Sequence, residues 1–270
     1  MEDKEFTDII SLITKQTGII PRESHKSGIK NFIEKRKKEI KLNGLDYYNY
    51  VCLNKAEMDI LLNHATVNET YFFREESQFN FLKNKVLPEL HSSLGLNPVR
   101  IWSAAASSGE EIYSLYLLAL SLGIKTECLA TDINTTVLQK GAEGKYKSNS
   151  VKAVDGAKFH YLLTPYMNQD KEVNLPPEIT SKIDRRQMNL TKADSIFPRN
   201  IHIVFIRNVF VYFTVEMRRS ILQKIVDFSL APGGYIFLSM NEIATIDYTI
   251  LPKGVEKCSE GNVFYFHKKG

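Results

Sequence analysis

The sequence predicts an α/β protein in which a doubly wound, mostly parallel sheet follows a small all-helical domain. Two observations support this prediction. From Val99 onwards, strand-like apolar segments alternate with segments of helical periodicity, a pattern that favours parallel strands joined by crossover helices. The first seventy residues instead keep helical spacing of their apolar side chains.

The composition excludes several other classes of protein. The chain has 270 residues, of which 43% are hydrophobic and 24% charged, as is ordinary for a globular protein. Its longest apolar stretch, Leu115 to Ile124, is about half the length of a membrane span. The three cysteines are far apart, without the spacing of a disulfide framework or a metal site. We therefore expect a cytoplasmic protein with no metal and no direct membrane insertion.

The N-terminal region predicts two amphipathic helices. Their apolar faces are formed by Phe6, Ile9, Ile10 and Ile13 in the first helix and by Ile29, Phe32, Ile33 and Ile40 in the second. The second helix also carries a basic surface, made of Lys30, Lys35, Arg36, Lys37, Lys38 and Lys41. Such a charge run can be an ordinary solvated face, or it can bind an acidic partner.

Six strands are predicted in the remainder of the chain. They are Val99–Ser103, Glu127–Thr131, Ile201–Ile206, Tyr235–Ser239, Tyr248–Leu251 and Val263–His267. The last two are expected to pair antiparallel at an edge of the sheet, because the loop between them is short. Residues 145–187 interrupt the alternation with scattered aromatics and two adjacent prolines, and we predict that they form an insertion.

Small and acidic residues follow the first two strands, at the edge where an open α/β sheet binds its ligands. The Ala- and Ser-rich stretch before Gly109 lets a ligand approach the backbone, and Glu110 and Glu111 begin the next helix. These carboxylates repel phosphate and suit a positively charged group, such as an ammonium or a sulfonium. Asp132 ends the second strand, where a carboxylate binds ribose hydroxyls, and this interpretation is favoured over the alternative that it caps the next helix.

Two further segments carry polar groups. Arg207-Asn208 follows the third strand, with Tyr212 four residues later, and Asn68 to Arg74 precedes the first strand. Each segment has a structural interpretation as well as a functional one. Arg207-Asn208 can belong to a loop network that ties the strand to its neighbours. The segment from Asn68 to Arg74 can be a linker between helices, anchored in the core by its aromatic residues.

Four segments in one order resemble the CheR-type protein-glutamate O-methyltransferases of chemotaxis. They are Asn68-Glu-Thr-Tyr-Phe-Phe-Arg74, Arg100 to Glu111, Ala130-Thr-Asp-Ile133, and Phe205-Ile-Arg-Asn-Val209 with Tyr212-Phe213. The resemblance implies an S-adenosylmethionine-dependent, Rossmann-like methyltransferase domain at 74–270, with a β-rich insertion at about 145–187. It also implies a helical domain at 1–73 and, as acceptors, glutamate side chains on the cytoplasmic helices of chemoreceptors.

The resemblance also implies roles for individual residues. Those expected to bind the cofactor are Asn68, Thr70, Arg74, Glu110, Asp132, Asn189, Leu190, Arg207 and Asn208. Glu110 would face the methionine end, with Glu111 as the alternative, and Asp132 would face the ribose. Arg74 and Tyr212 would be the catalytic residues that orient the acceptor carboxylate. The six basic residues of the second helix would dock against the acidic receptor helices.

Several positions depart from the family pattern. Ile112, Ile206 and Met240 stand where the family commonly has proline, cysteine and histidine, and Asn134 replaces a second aspartate. These changes affect the expected acceptor geometry near Met240 rather than the proposed cofactor contacts. Some family members bind a receptor's C-terminal pentapeptide through a glycine-containing loop. Residues 161–189 contain no glycine, so we predict that this tether is absent.

Two other functions compete with receptor methylation. The fold can serve as a sensor of S-adenosylmethionine or S-adenosylhomocysteine without turnover, or as a methyltransferase acting on a small molecule or a nucleic acid. We expect no nucleic-acid partner, because few aromatic residues interleave with the charges of the basic helix.

Overall fold

The computed structural model describes residues 3–42, 46–152, 154–247 and 250–270. Its contacts group the chain into two compact units, residues 1–67 with 212–217 and residues 68–211 with 218–270. The division after Val67 precedes the boundary predicted after residue 73. Phe72 and Phe73 explain the difference, since both are fully buried in the core of the larger unit. Within the described ranges, no helix is long and apolar enough to cross a membrane.

The smaller unit is helical. Its helices are α1 (Asp3–Thr17), α2 (Glu23–Glu39), α3 (Tyr47–Leu53) and α4 (Lys55–Ala65). The predicted apolar faces of α1 and α2 supply much of its core, with Ile9, Ile13, Ile29 and Ile33 among the buried residues. The side chain of Asp46 accepts a hydrogen bond from the Tyr48 N–H and so caps α3, and Asn54 caps α4 in the same way.

The basic surface of α2 is partly committed to this unit. Nε and Nη2 of Arg36 lie 2.9 and 3.0 Å from the two carboxylate oxygens of Glu57, which is buried and also accepts a hydrogen bond from Tyr47. Lys37 pairs with Glu5 at 3.1 Å. Two of the six predicted docking residues therefore hold the helical unit together. Others, Lys35, Lys38 and Lys41, are exposed.

The larger unit is built on a seven-stranded sheet. Its strands are β1 (Val99–Ala104), β2 (Thr126–Asp132), β5 (Ile183–Gln187), β6 (Ile201–Phe205), β7 (Leu230–Phe237), β8 (Glu256–Glu260) and β9 (Val263–His267), in the order β5–β2–β1–β6–β7–β9–β8. The first five of that order run parallel, as predicted. Strand order reverses at β1, so a crevice is expected at the carboxyl ends of β1 and β6.

Helices and short turns surround the sheet. They are α5 (Glu76–Phe81) and α6 (Leu87–Leu94), joined by a π-helical turn at Leu82–Val86; α7 (Glu110–Ser121); α8 (Thr135–Glu143); α9 (Pro177–Thr180); α10 (Val215–Lys224), followed by a π-helical turn at Ile225–Ser229; and α11 (Met240–Ala244). All five residues of β6 and most of α7 are buried, which places the core of the unit around its central strands.

The insertion at 145–187 differs from the β-rich structure that we predicted. Its own sheet has only two short antiparallel strands, β3 (Lys145–Tyr146) and β4 (Val173–Asn174). Short 3-10 helices lie between them, at Ser148–Ser150, Ala157–Leu162 and Thr164–Tyr166. The segment ends in β5, which joins the main sheet beside β2. Prolines, which lack a backbone donor, and the absence of an alternating apolar pattern disfavour longer strands here.

The predicted strand at Tyr248–Leu251 is also wrong. Residues 248–249 lie outside the described chain, and Ile250 lies in a turn. The edge strand is β8 instead, and it pairs antiparallel with β9 in place of the predicted partner. The burial pattern explains the error, because β8 is largely exposed and lacks the apolar residues by which a strand is recognised in the sequence.

Candidate functional site

The loops that follow β1, β2 and β6 meet at the carboxyl edge of the sheet. The backbone N–H of Ser107 donates to Asp132 at 2.8 Å, and the Ser107 hydroxyl donates to the carbonyl of Asn68 at 3.2 Å. Nη2 of Arg207 donates to the carbonyl of Arg74 at 2.7 Å. The four segments that carry the family resemblance therefore come together in the larger unit.

Asp132 links two of these loops. Its carboxylate accepts hydrogen bonds from the N–H groups of Ser107 and Asn134, and burial raises its pKa. The side chain of Asn134, not Asp132, caps α8, so the alternative reading of Asp132 as a helix cap is wrong. The N–H of Met188 donates to the carbonyl of Asp132 at 2.9 Å, which places the Asn189-Leu190 segment directly after a residue bonded to Asp132.

Glu110 and Glu111 begin α7 and are held by different partners. Glu110 accepts hydrogen bonds from the hydroxyls of Ser108, at 2.7 Å, and of Ser150, at 2.9 Å. Glu111 accepts one from Ser103 at 2.6 Å. Burial raises the pKa of both carboxyl groups. Only Glu111 lies beside a cation, which is Arg207.

Arg207 is the buried charge at the centre of this arrangement, with a side chain 1% exposed. Its Nη1 lies 3.4 Å from Glu111 and its Nη2 lies 3.6 Å from Glu75. Burial raises the pKa of Glu75 and Glu111, and the positive charge of Arg207 opposes that rise. Nε and Nη1 of Arg207 are buried and donate no hydrogen bond to any residue that the structure describes. A guanidinium with such unsatisfied donors is suited to an oxygen ligand.

The backbone of the site adopts an uncommon conformation. Eight non-glycine residues among those described have a positive φ, and five of these lie in the site: Phe73 (56°), Glu75 (60°), Ala105 (74°), Ser107 (50°) and Asn208 (58°). Left-handed backbone is unfavourable for residues with a side chain, and it persists only where the surrounding contacts hold it. Its concentration here indicates that specific contacts hold these loops in place.

Glu242 holds the loop after β6 in place. Its carboxylate accepts hydrogen bonds from the N–H of Asn208 at 2.7 Å, the N–H of Phe210 at 2.8 Å and the hydroxyl of Ser239 at 2.6 Å. Glu242 is 2% exposed, and it ties the carboxyl ends of β6 and β7 to one another.

The other predicted residues are less closely defined. Thr70 is partly buried in the Asn68–Arg74 segment, and Leu190 is buried. The side chain of Asn189 accepts a hydrogen bond from the Thr191 N–H at 3.0 Å. Tyr212 groups with the smaller unit, where the guanidinium of Arg22 lies 5.6 Å from its ring centre. The roles of these residues stay predictions.

Three residues of the site were missed by sequence reasoning. Glu75 follows Arg74 directly, and a carboxylate next to a motif arginine could have indicated that Glu75 belongs to the site. Ser150 lies in the insertion, and nothing in its sequence context links it to Glu110. Glu242 stands in a segment that departs from the family pattern, which drew attention to Met240 rather than to the carboxylate two residues later.

The electrostatics of the site favour a cation. Glu75, Glu110, Glu111 and Asp132 are carboxylates whose pKa burial raises, and one buried guanidinium lies among them. A positively charged ligand offsets the cost of burying this excess of negative charge.

Comparison with known proteins identifies the family. Residues 68–250, which contain all the loops described above, match the family described as CheR methyltransferase, SAM binding domain. The chain belongs to the CheR methyltransferase family. Its fold, its enzyme class and its use of S-adenosylmethionine follow from this membership, and all three confirm the sequence-based predictions.

Relatives match over most of their length. Chemotaxis protein methyltransferase 2 of Vibrio cholerae is 32% identical over 212 residues, which cover 74% of this chain and 73% of that protein. The chemotaxis protein methyltransferase of Escherichia coli is 29% identical over 250 residues, covering 90% and 85%. That of Borreliella burgdorferi is 29% identical over 256 residues, covering 88% and 87%. The CheR-type chain is thus an S-adenosylmethionine-dependent methyltransferase of chemotaxis.

The crevice fits S-adenosylmethionine on two counts. The acidic loops after β1 and β2 suit the positive charge of a sulfonium and of an amino acid ammonium group. The unsatisfied N–H groups of Arg207 suit an anionic or carbonyl oxygen.

The ion pairs of Arg207 make the stability of an Arg207→Met variant depend on pH. Without the guanidinium, the folded-state pKa values of Glu75 and Glu111 rise further above their unfolded values. The folded state then binds more protons than the unfolded state, so stability falls as pH rises through those values. We expect a loss of about 3–5 kcal/mol at about pH 8, and a clearly smaller loss at about pH 5.5.

Urea unfolding followed by circular dichroism at both pH values measures these losses. Arg186→Met is the matched control, because Arg186 is an exposed arginine that pairs with Asp184 on the same strand. It should lose less than about 1 kcal/mol at either pH. An equal loss for Arg207→Met at both pH values would contradict the ion-pair interpretation.

Proposed function

We propose that this protein transfers the methyl group of S-adenosylmethionine to glutamate side chains on the cytoplasmic helices of chemoreceptors, and that it acts in the cytoplasm. The products are glutamyl methyl esters and S-adenosylhomocysteine. The observation that supports the proposal most strongly is the group of buried carboxylates around Arg207 at the carboxyl edge of the sheet, in a chain of the CheR family.

The proposed cofactor contacts follow the predicted residues. They are Asn68, Thr70, Arg74, Glu110, Asp132, Asn189, Leu190, Arg207 and Asn208. Asp132 would accept hydrogen bonds from the ribose hydroxyls, since its carboxylate lies at the carboxyl end of β2 beside the loop after β1. Glu110 would accept from the ammonium group, because its hydroxyl partners Ser108 and Ser150 are uncharged, whereas Glu111 already pairs with the positive charge of Arg207.

Methyl transfer requires alignment of the acceptor carboxylate with the methyl group rather than proton transfer. A glutamate with a pKa of about 4.3 is ionised at neutral pH, so the acceptor needs no general base. When bound, S-adenosylmethionine supplies a methyl group on a positively charged sulfur; the new C–O bond forms as the C–S bond breaks, and the two charges cancel. Arg74 and Tyr212 would orient the acceptor carboxylate, and an arginine fork suits that task. Holding the carboxylate too tightly would slow its attack.

The receptor would dock on α2 of the helical unit. Arg36 and Lys37 pair with Glu57 and Glu5, whose side chains are only 3% and 11% exposed. We therefore assign docking mainly to the four other predicted residues, which are Lys30, Lys35, Lys38 and Lys41; Lys35 also lies 3.7 Å from Glu39 of the same helix. Receptor methylation helices are acidic, so this interaction would be electrostatic and screened by salt. We also propose that docking needs no receptor pentapeptide, since residues 161–189 lack glycine.

Transfer from labelled S-adenosylmethionine to a cytoplasmic chemoreceptor fragment, followed by treatment with base, tests the function. We expect label on the receptor that base releases as methanol, because carboxylate methyl esters are hydrolysed by base. A fragment whose acceptor glutamates are replaced by alanine should take up none. A fragment without the C-terminal pentapeptide should be methylated at the same rate as the complete one.

The outcomes distinguish the competing functions. Tight binding of S-adenosylmethionine without transfer to any receptor fragment would favour the sensor. Base-stable label would indicate a different acceptor group and would contradict glutamate methylation.

Charge reversal on α2 tests the docking surface. The double variant Lys35→Glu, Lys38→Glu should raise the KM for the receptor fragment by about 10-fold at low salt while kcat stays unchanged. The difference should shrink as the salt concentration rises to about 300 mM, because salt screens exposed charges. Initial rates over a range of receptor concentrations give both constants.

The matched control is Lys125→Glu, Lys182→Glu, which reverses two exposed lysines of the larger unit. It should leave the KM within about twofold of the wild-type value. Equal effects of the two double variants would show that net charge, rather than the surface of α2, governs receptor binding.

A further inference from the structure

Asp155, in the insertion, contacts the segment that carries Arg74. Its carboxylate accepts hydrogen bonds from the hydroxyl of Tyr71 at 2.8 Å, the N–H of Glu75 at 2.8 Å and the N–H of Glu76 at 3.0 Å. Tyr71 lies three residues before Arg74, and Glu75 and Glu76 follow it directly. One carboxylate, about eighty residues away in the chain, therefore holds both sides of the proposed catalytic arginine.

This carboxylate replaces a local helix cap. Helix α5 starts at Glu76, and the residue before it, Glu75, has a left-handed backbone and provides no side-chain cap. Asp155 satisfies the free N–H groups at this end instead, as an N-cap residue normally does. Without it, the chain at Glu75 would lose the contacts that offset its unfavourable conformation.

The loop can reach this position because the next residue is a glycine. Gly156 has a φ of +81°, and a Cβ atom there would lie 2.8 Å from both the carbonyl oxygen of Phe72 and the Cβ of Phe73. Both distances are shorter than van der Waals contact, so only glycine allows so close an approach. Asp155 therefore bonds to the segment of residues 71–76, and Gly156 allows the two backbones to approach closely enough for this.

The contact extends to the Arg74 side chain through Tyr71. The guanidinium carbon of Arg74 lies 5.3 Å from the ring centre of Tyr71, and Nζ of Lys152 lies 5.3 Å from the same centre. The Tyr71 hydroxyl is fixed by Asp155, so the orientation of the ring against Arg74 depends on that bond.

The charge states support these hydrogen bonds. Burial and the bond to Asp155 raise the pKa of Tyr71 to about 12, so its hydroxyl stays a donor at neutral pH. Burial raises the pKa of Asp155, but the bonds from Glu75, Glu76 and Tyr71 outweigh that effect and leave the pKa below its usual value. Asp155 thus stays an ionised acceptor.

We propose that Asp155 is a positioning residue for catalysis: by holding Tyr71 and the start of α5 it fixes the place of the Arg74 guanidinium. This inference rests on the proposed function, in which Arg74 orients the acceptor. It gives the insertion a role in the reaction that is separate from receptor tethering.

Chemical modification of Arg74 tests the positioning without depending on turnover. Phenylglyoxal reacts with accessible arginines, and mass spectrometry of the modified peptides gives the rate at each one. In the full chain carrying Asp155→Asn, Arg74 should react about 5-fold faster or more than in the wild type, because its supports are weakened. Arg186, which is exposed and lies in β5, is the internal control and should react at an unchanged rate.

Methyl transfer gives the second readout. Asp155→Asn should lower kcat by about 10-fold or more and leave the KM for S-adenosylmethionine within about twofold, since misplacing an orienting group slows the transfer step. Asp170→Asn changes an exposed aspartate of the same insertion and should match the wild type in both assays. Tyr71→Phe removes one of the three hydrogen bonds to Asp155 and should give an intermediate effect in both the modification assay and the methyl-transfer assay.

The results separate this inference from the proposed function. If the wild type transfers no methyl group to receptor fragments, the proposed function fails, and the reactivity of Arg74 still decides the positioning role. Unchanged reactivity of Arg74 in both Asp155→Asn and Tyr71→Phe would overturn the inference. If Asp155→Asn does not fold, Tyr71→Phe alone carries the test, with the same expected direction.

Discussion

The structure of this site depends on one buried positive charge. The guanidinium of Arg207 is almost completely removed from solvent and lies between Glu75 and Glu111, with the carbonyl of Arg74 as a hydrogen-bond partner. A buried charge is stable only when its surroundings compensate it. The segment before β1, the start of α7 and the loop after β6 must therefore stay together, although they are distant in the chain. Two buried donors of the same guanidinium, Nε and Nη1, have no hydrogen-bond partner among the residues that the structure describes.

Carboxylates accepting backbone N–H groups keep the loops of the site in their left-handed conformations. Asp132 does so for the loop after β1, Glu242 for the loop after β6 and Asp155 for the segment before α5. Each of them is remote in sequence from the residue it fixes. These hydrogen bonds fix the conformation of the loops at the carboxyl edge of the sheet. A fixed geometry suits a reaction that needs alignment rather than acid–base chemistry.

The fold could be predicted from the sequence where local pattern and tertiary environment agree. The strands β1, β2 and β6 are mostly buried and each contains a run of apolar residues, so the sequence placed all three within a residue or so of their observed bounds. Prediction failed at β8, whose polar residues are exposed, and in the insertion, whose short 3-10 helices have no periodic signal. In the site, motif residues such as Asp132 and Arg207 were found, because they follow strands. Asp155 could not be found in this way, because its hydrogen-bond partners are about eighty residues away in the sequence.

Binding of S-adenosylhomocysteine to the wild type and to Asp132→Asn, measured by titration calorimetry, tests most directly whether this crevice is the cofactor site. The variant keeps the shape of the side chain and leaves the ion pairs of Arg207 intact. We predict binding about 10-fold weaker or more, because the charged acceptor for the ribose is lost. Asp184→Asn, an exposed aspartate of β5, should bind as the wild type does. Unchanged affinity in Asp132→Asn would contradict the account.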